Sequence, residues 1–483
     1  MNHNNKNKNE GKSYSAYSRK SLWQIGKGKS WKWLQSFSHS QLFVSSFVLL
    51  ILLGSFLFKT LPNLYVSGEM SWLDALFTST SAICVTGLIV VDTAQYFTFW
   101  GQLLLLVLIQ FGGLGMLTFA SLIILAFGKK LSVKQETIYQ SFASSALKIE
   151  PHKLVYKIII FSFSIEFVGA CCLYIIWLPE MGWRGALWPS IFHSVSAFCN
   201  AGFSVFSNSL EYSSSNSGIL LVCSLLIICG GLGFFTLQEV SSWMNNLFKK
   251  AGNSSRLSLQ SKIVLVTSLF LIIIGSFCFA FLEWNGVFAD MSIRHKVLNS
   301  FFMSVSSRTA GFNSVLYSEA SDATNFLNII LMMIGGSPGS TAGGVKTTTL
   351  FIVLLLAWSR LRGDSEPAFA SRSLPAETVS RAVGLLVIAS VIVTISVFLL
   401  CITESELSPQ RPFLVLLFEA VSAFNTVGLS LGMTSDFSSS GKIILILLMF
   451  LGRVGPLGLA AAIFVRSRKC ESYRYAYEDV VVG

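Results

Sequence analysis

Phe77-TSTSAICVT-Gly87-Leu88 decides the fold, because the chain writes it four times. The other copies are Phe192-HSVSAFCNA-Gly202-Phe203, Phe301-FMSVSSRTA-Gly311-Phe312 and Phe418-EAVSAFNTV-Gly428-Leu429. Each carries a Phe ten residues before the glycine and a Leu or Phe after it. Ser81, Ser196 and Ser422 share the sixth position before the glycine, where the third copy has Val305 and places Ser306 one later. The glycines are 115, 109 and 117 residues apart. A small-residue turn repeated four times between apolar segments predicts a ring. A ring of backbone carbonyls is one way for a protein to replace the water around an ion.

Composition places that ring in a membrane. Of 483 residues, 53% are hydrophobic and 12% charged, below the roughly 25% charged of soluble domains. The apolar segments form four units, each a span, a short helix, a turn and a second span. Residues 42–127 hold Leu42–Phe58, Trp72–Cys84 and Trp100–Phe127; residues 128–244 hold Leu154–Leu178, Leu187–Cys199 and Ile219–Met244. Residues 245–358 hold Ile263–Leu282, Val297–Ser307 and the interrupted Phe326–Trp358; residues 359–465 hold Val379–Ile402, Phe413–Asn425 and Ile443–Val465. The short helices cannot cross a ~30 Å hydrocarbon core and read as re-entrant. The expected fold is an all-α polytopic membrane protein with eight spanning and four re-entrant helices.

Charge orients it. Of 35 Lys and Arg, 26 fall on the side of the N-terminus and five on the other, a positive-inside bias that predicts cytoplasmic termini and parallel units. The net charge of +11 then follows from topology and calls for no nucleic acid. Residues 1–41 and 466–483 are expected to be cytoplasmic tails. The first has no apolar core before Leu42 and reads as a tail rather than a cleaved signal, with a surface anchor on membrane lipids through Trp23, Trp31 and Trp33 as the alternative. Nine cysteines without paired spacing read as small hydrophobes. No nucleophile motif, metal-ligand pair or cofactor fingerprint stands out, so neither an enzyme nor a bound cofactor is expected.

Loops at membrane depth are tolerated only inside protein or around water, so the four turns are expected to meet on one axis. The short helices would aim their partially negative C-terminal ends at it, which favours a cation. Glycine admits the positive φ that lets successive carbonyls face one line. The expected ion ligands are Val85, Thr86 and Gly87; Asn200, Ala201 and Gly202; Thr309, Ala310 and Gly311; and Thr426, Val427 and Gly428. Their side chains differ, so the backbone is what the copies share. An ordinary turn would explain one such glycine but not four in register.

The second signal is Gly335-Gly336-Ser337-Pro338-Gly339-Ser340-Thr341-Ala342-Gly343-Gly344, which lies between apolar segments. Its proline lacks a donor and its five glycines disfavour a helix. A phosphate-binding loop is disfavoured because Val345 stands where lysine should follow and the required strand is missing. Lys346 either competes with cations or snorkels to the interface. Arg453 is an intramembrane arginine, functional or paired by default, with Glu166 or Glu419 as candidate partners. Arg308 is expected to brace the third turn through carbonyls or through Glu419 or Asp74, and His193 to be a packed histidine.

Residues 42–465 resemble the Trk/Ktr/HKT superfamily of potassium transporters. Arg308-TAGFNSV, Gly335-GSPGSTAGGVKTTT and Gly452-RVGPLG bring the resemblance closest to the Ktr membrane subunit (KtrB-like). The resemblance implies four pseudo-symmetric M-P-M repeats around one central pore, with Gly87, Gly202, Gly311 and Gly428 as selectivity filter. It also implies that 335–344 is an intramembrane gate loop, with Lys346 and Arg453 beside it and Arg453 donating to loop carbonyls. The substrate would be K⁺, with Na⁺ as activator or coupled ion left open. The partners would be a second copy in a homodimer and a cytoplasmic nucleotide-binding regulatory ring (KtrA-like). Sodium-selective plant-type relatives typically carry serine at the first filter position, so Gly87 points to K⁺. The alternative is a Na⁺ or mixed Na⁺/K⁺ transporter of the same superfamily.

Overall fold

The computed structural model describes residues 39–115, 151–248, 257–364, 366–405, 413–456 and 458–459. The C-terminal tail and nearly all of the N-terminal tail expected above lie outside them. Helices build the fold: α1 (His39–Thr60), α2 (Trp72–Ile83), α3 (Phe99–Gly113), α4 (Pro151–Cys199), α5 (Ser217–Leu232), α6 (Phe234–Phe248) and α7 (Leu259–Glu283). They continue with α8 (Ile293–Ser306), α9 (Asp322–Met333), α10 (Thr347–Arg362), α11 (Ala376–Thr403), α12 (Phe413–Phe424) and α13 (Ser439–Val454). A two-stranded hairpin, Ala368–Phe369 against Arg372–Ser373, joins α10 to α11. Helix starts are local in origin. Ser71, Ser258, Ser292, Ser321 and Ser438 each accept a first-turn N–H through the hydroxyl, which satisfies a donor the helix leaves open.

Apolar length separates the helices. α1, α7, α11 and the long α4 are each apolar and long enough to cross a membrane. α4 runs from the second unit's first span into its short helix and breaks at Gly182, where φ is 70°. The segment expected as one straight span over Ile219–Met244 is instead two helices bent by 105°. Gly233, at φ 83°, ends α5 there, and α6 leaves at an angle. The outward faces are apolar: Phe281 is 77% exposed and Phe277 72%. Patches of that kind are a liability in water and match hydrocarbon.

Polar groups sit inside and position the short helices. Ser79 Oγ donates to Ile51 O (2.8 Å), Ser194 Oγ to Glu166 O (2.6 Å) and Ser304 Oγ to Ile272 O (3.0 Å). Opposite each serine, a Cβ on Gly54, Gly169 or Gly275 would collide with its hydroxyl. Glycine is therefore what lets each long helix approach its short partner. The chain closes on itself, since α13 packs beside α2 and Lys442 Nζ lies 2.9 Å from Asp74 Oδ1.

Candidate functional site

Four turns follow the short helices and meet in a closed ring. Gly87, Gly202, Gly311 and Gly428 have φ of 94°, 70°, 79° and 92°. The residue two positions earlier is also left-handed in every copy: Val85 at 57°, Asn200 at 59°, Thr309 at 72° and Thr426 at 50°. For β-branched residues such values are outliers, and each left-handed L-residue costs roughly 1–2 kcal/mol. The same strain at the same register four times marks a backbone shape held by its surroundings.

The glycine contacts give the ring its order. A Cβ on Gly87 would lie 2.5 Å from Ala201 O, and one on Gly202 would lie 2.9 Å from Ala310 O. One on Gly311 would overlap Val427 O, and one on Gly428 would overlap Thr86 O. Each turn thus offers the carbonyl before its own glycine to the glycine of the preceding turn, with the last turn meeting the first. Ala201, Ala310, Val427 and Thr86 are buried, and each of their carbonyl oxygens lies against the glycine of the preceding turn.

A serine one turn back clamps each loop. Ser81 Oγ donates to Leu88 O (2.7 Å) and accepts from Gly87 N (3.2 Å); Ser196 Oγ donates to Phe203 O (2.7 Å); Ser422 Oγ accepts from Gly428 N (3.1 Å). In the third copy the clamp is Ser306, whose Oγ donates to Phe312 O (2.6 Å). Counting back from Gly311 therefore misassigns this copy. Its counterpart of Phe77, Phe192 and Phe418 is the fully buried Phe302, not Phe301, and its helix-facing serine is Ser304. The third turn is one residue shorter than the others.

The broken helix lies against two of these turns. Gly335 N donates to Val345 O (2.8 Å), which closes residues 335–345 into a loop. Toward the second unit, Ser337 N donates to Gly231 O (3.0 Å) and Thr341 N to Gly230 O (3.3 Å) of α5, Thr341 Oγ1 donates to Phe198 O (3.2 Å) at the end of α4 beside the second turn, and Gly339 O accepts from Phe234 N (3.2 Å) of α6. Toward the fourth, Val345 N donates to Asn425 Oδ1 (3.4 Å), and a Cβ on Gly343 or Gly344 would strike Thr426 or Asn425. Ser340 Oγ caps Ser337 O inside the loop. Gly336, Pro338 and Ala342 complete it, with Gly336 O accepting from Thr347 N (3.1 Å). Lys346 Nζ donates to Ala342 O of the loop (2.8 Å).

Arg453 joins three elements. Its guanidinium donates to Thr341 O of the loop and to Gly112 O of α3. Neither carboxylate considered from sequence meets it. Glu166 accepts from Gln110 Nε2 (3.0 and 3.1 Å), and Glu419 holds Ser430 Oγ, Leu431 N and Thr434 Oγ1 behind its own turn. Arg308 likewise reaches neither Glu419 nor Asp74 and donates to Ser268. His193 is packed, with Nδ1 on Pro189 O (2.8 Å), Nε2 on Ser204 Oγ (2.9 Å) and its ring stacked on Phe206. Beyond the third turn, Asn313 N donates to Ser209 Oγ and Asn313 O accepts from Leu210 N. Burial, then the nearby Glu319, holds the adjacent Glu211 carboxyl above its ordinary range.

Sequence reasoning missed a second glycine set. Gly112-Gly113-Leu114-Gly115, Gly230-Gly231-Leu232-Gly233, Gly335-Gly336-Ser337-Pro338-Gly339 and Gly452-Arg453-Val454-Gly455 stand at matching places after the four turns. A Cβ on Gly112, Gly230 or Gly452 would overlap Ile83 O, Phe198 O or Phe424 O at the end of a short helix. The last glycine of each set has φ of 69°, 83°, 72° or 80°. The signal was the recurring Gly-Gly spacing, in which Arg453 replaces the second glycine.

The chain matches the TrkH family, described as "Cation transport protein", over residues 34–473. It is 38% identical over 461 residues to the Ktr system potassium uptake protein B of Bacillus subtilis, covering 95% of this chain and 100% of that one. It is 36% identical over 450 residues to the potassium/sodium uptake protein NtpJ of Enterococcus hirae, covering 92% and 97%. Among solved structures it resembles the potassium transporter TrkH from Vibrio parahaemolyticus, with a TM-score of 0.68 at 19% identity over 89% of this chain and 86% of that one.

Proposed function

The chain belongs to the TrkH family of cation transport proteins, and on that premise we propose that it carries K⁺ into the cell through the ring of Gly87, Gly202, Gly311 and Gly428. As a multi-pass membrane cation transporter it is not an enzyme. The observation that carries the proposal is the closure of the ring, in which the Ala201, Ala310, Val427 and Thr86 carbonyls each lie against the glycine of the preceding turn. Carbonyl oxygens there replace the hydration shell of a cation, and the membrane potential draws it inward by about 2.3 kcal/mol per charge per 100 mV.

Four M-P-M units build this pore, with eight spans and four re-entrant helices, and both termini are cytoplasmic. The left-handed pairs at one register and the recurring Gly–Ser packing of long on short helices support that division. Residues 335–344 act as the gate, with Lys346 and Arg453 holding them under the ring. The double attachment of this loop to the second unit and the fourth turn supports the role. A homodimer bound to a cytoplasmic nucleotide-binding ring completes the assembly, in keeping with the Ktr system named for its relatives. The second relative, named for potassium and sodium uptake, favours a second reading in which Na⁺ also passes or activates. Expression in a host that lacks K⁺ uptake tests the first: growth at low K⁺ is expected, and its absence with the protein present in the membrane rejects it.

A further inference from the structure

Behind the third turn lies a guanidinium without a counter-charge. Arg308, three residues before Gly311, is 9% exposed. Its Nη1 donates to Ser268 O (3.3 Å) and its Nη2 to Ser268 Oγ (3.1 Å), while Nε has no partner. Among the described residues no carboxylate pairs with it, since Asp74 faces Lys442, Glu166 faces Gln110 and Glu419 is held by its own loop. An ionised side chain at membrane depth is costly unless compensated. One carbonyl and one hydroxyl engage two of the five N–H donors. Beside the guanidinium is a cavity of about 20 Å³, lined by Arg308, Ser268, Gly231, Gly336, Ile228 and Val305 among others. That is room for a single water-sized sphere.

We propose that this cavity binds one small monovalent anion of the halide class, held by Arg308 and Ser268 between α5, α7 and the loop at Gly336. The guanidinium supplies charge and an Nη N–H that Ser268 does not use, and the Ser268 hydroxyl supplies a second donor. The walls of Ile228 and Val305 favour an ion that sheds water readily over a strongly hydrated sulfate or phosphate. A bound anion makes the cluster neutral, so the rear of the third turn no longer repels a cation in the ring. Gly336 belongs to the 335–344 loop, so the site touches both ring and loop. The site rests on the geometry around Arg308 and holds whichever cation is carried.

The test uses the full-length protein in detergent, with chloride replaced by gluconate and then restored by titration. The melting temperature is expected to rise saturably with chloride. Crystals grown with bromide are expected to show an anomalous peak within hydrogen-bond distance of the Arg308 guanidinium. Arg308→Gln removes both effects. Should that variant not fold, Ser268→Ala, which keeps the arginine, shifts the chloride midpoint to higher concentration. A cavity holding only water in bromide-grown crystals overturns the proposal. So does a chloride response that is flat in the wild type or undiminished in both variants.

Discussion

Replacing Arg453 by alanine removes a side chain that bridges the loop and α3. Its guanidinium donates to Thr341 O and Gly112 O and is 8% exposed. A hydrogen bond from a charged group contributes about 1.5–3 kcal/mol, and one of the two reaches the loop, so its loss weakens the closed loop by about 1.5–3 kcal/mol. Water entering the space left by alanine satisfies part of the two carbonyls again, which favours the lower end. At ~1.4 kcal/mol per tenfold, about 1.5 kcal/mol moves the balance between closed and open loop roughly tenfold toward open. Arg453→Lys keeps the charge but not the two-armed geometry, and should fall between the two. The assay is Rb⁺ flux into proteoliposomes without any regulatory partner. Basal flux should rise steeply in Arg453→Ala, less in Arg453→Lys, with the order of ion preference unchanged. Basal flux at or below wild type in a folded Arg453→Ala protein, or an altered K⁺/Na⁺ preference with normal gating, would refute the gate assignment.

Gly87→Ser places a Cβ against the Ala201 carbonyl at a φ of 94°, so discrimination against Na⁺ should weaken; unchanged flux ratios would count against the ring. Deleting 339–343 removes the contacts to Phe234 and Phe198, and basal K⁺ flux should increase; a folded but silent protein would contradict it. Ser306→Ala deletes the clamp on Phe312 O, costing about 1 kcal/mol. It should lower the melting temperature and raise Na⁺ leak, as should Ser81→Ala, whereas Val305→Ala should spare selectivity; the reverse pattern would restore the unshifted register.

What was legible in the sequence was what repeats or breaks. Four glycines between apolar runs gave the ring, Gly335–Gly344 gave the interrupted helix, and Arg453 stood out as a charge among apolar residues. The register of the third copy was hidden because Phe301 and Phe302 are adjacent, so a one-residue shortening of the turn left a Phe at the expected offset. Ser306 was the available clue. Donation from Arg453 to loop carbonyls, which the resemblance implied, and from Arg308 to a carbonyl agrees with the contacts found, but which main-chain atoms and local hydroxyls meet the buried charges was not legible. Arg453 finds Thr341 O and Gly112 O, and Glu419 is satisfied by Ser430 and Thr434 of its own loop. Sequence names no carbonyl, and a carboxylate satisfied nearby cannot be told from one awaiting a distant arginine. The bend at Gly233 was hidden for a related reason: a continuous apolar run crosses it, and only its likeness to Gly115, Gly339 and Gly455 marks it as a break.

The central claim is that the four-glycine ring passes K⁺ in preference to Na⁺. Its most direct test is K⁺ and Na⁺ flux into proteoliposomes of the purified chain under a fixed inside-negative potential, with Gly428→Ala as control. The expected result is K⁺ flux well above Na⁺ flux in the wild type, with that preference reduced in Gly428→Ala, where a Cβ would overlap Thr86 O. Na⁺ flux equal to or above K⁺ flux, or a preference that Gly428→Ala leaves untouched, would contradict it.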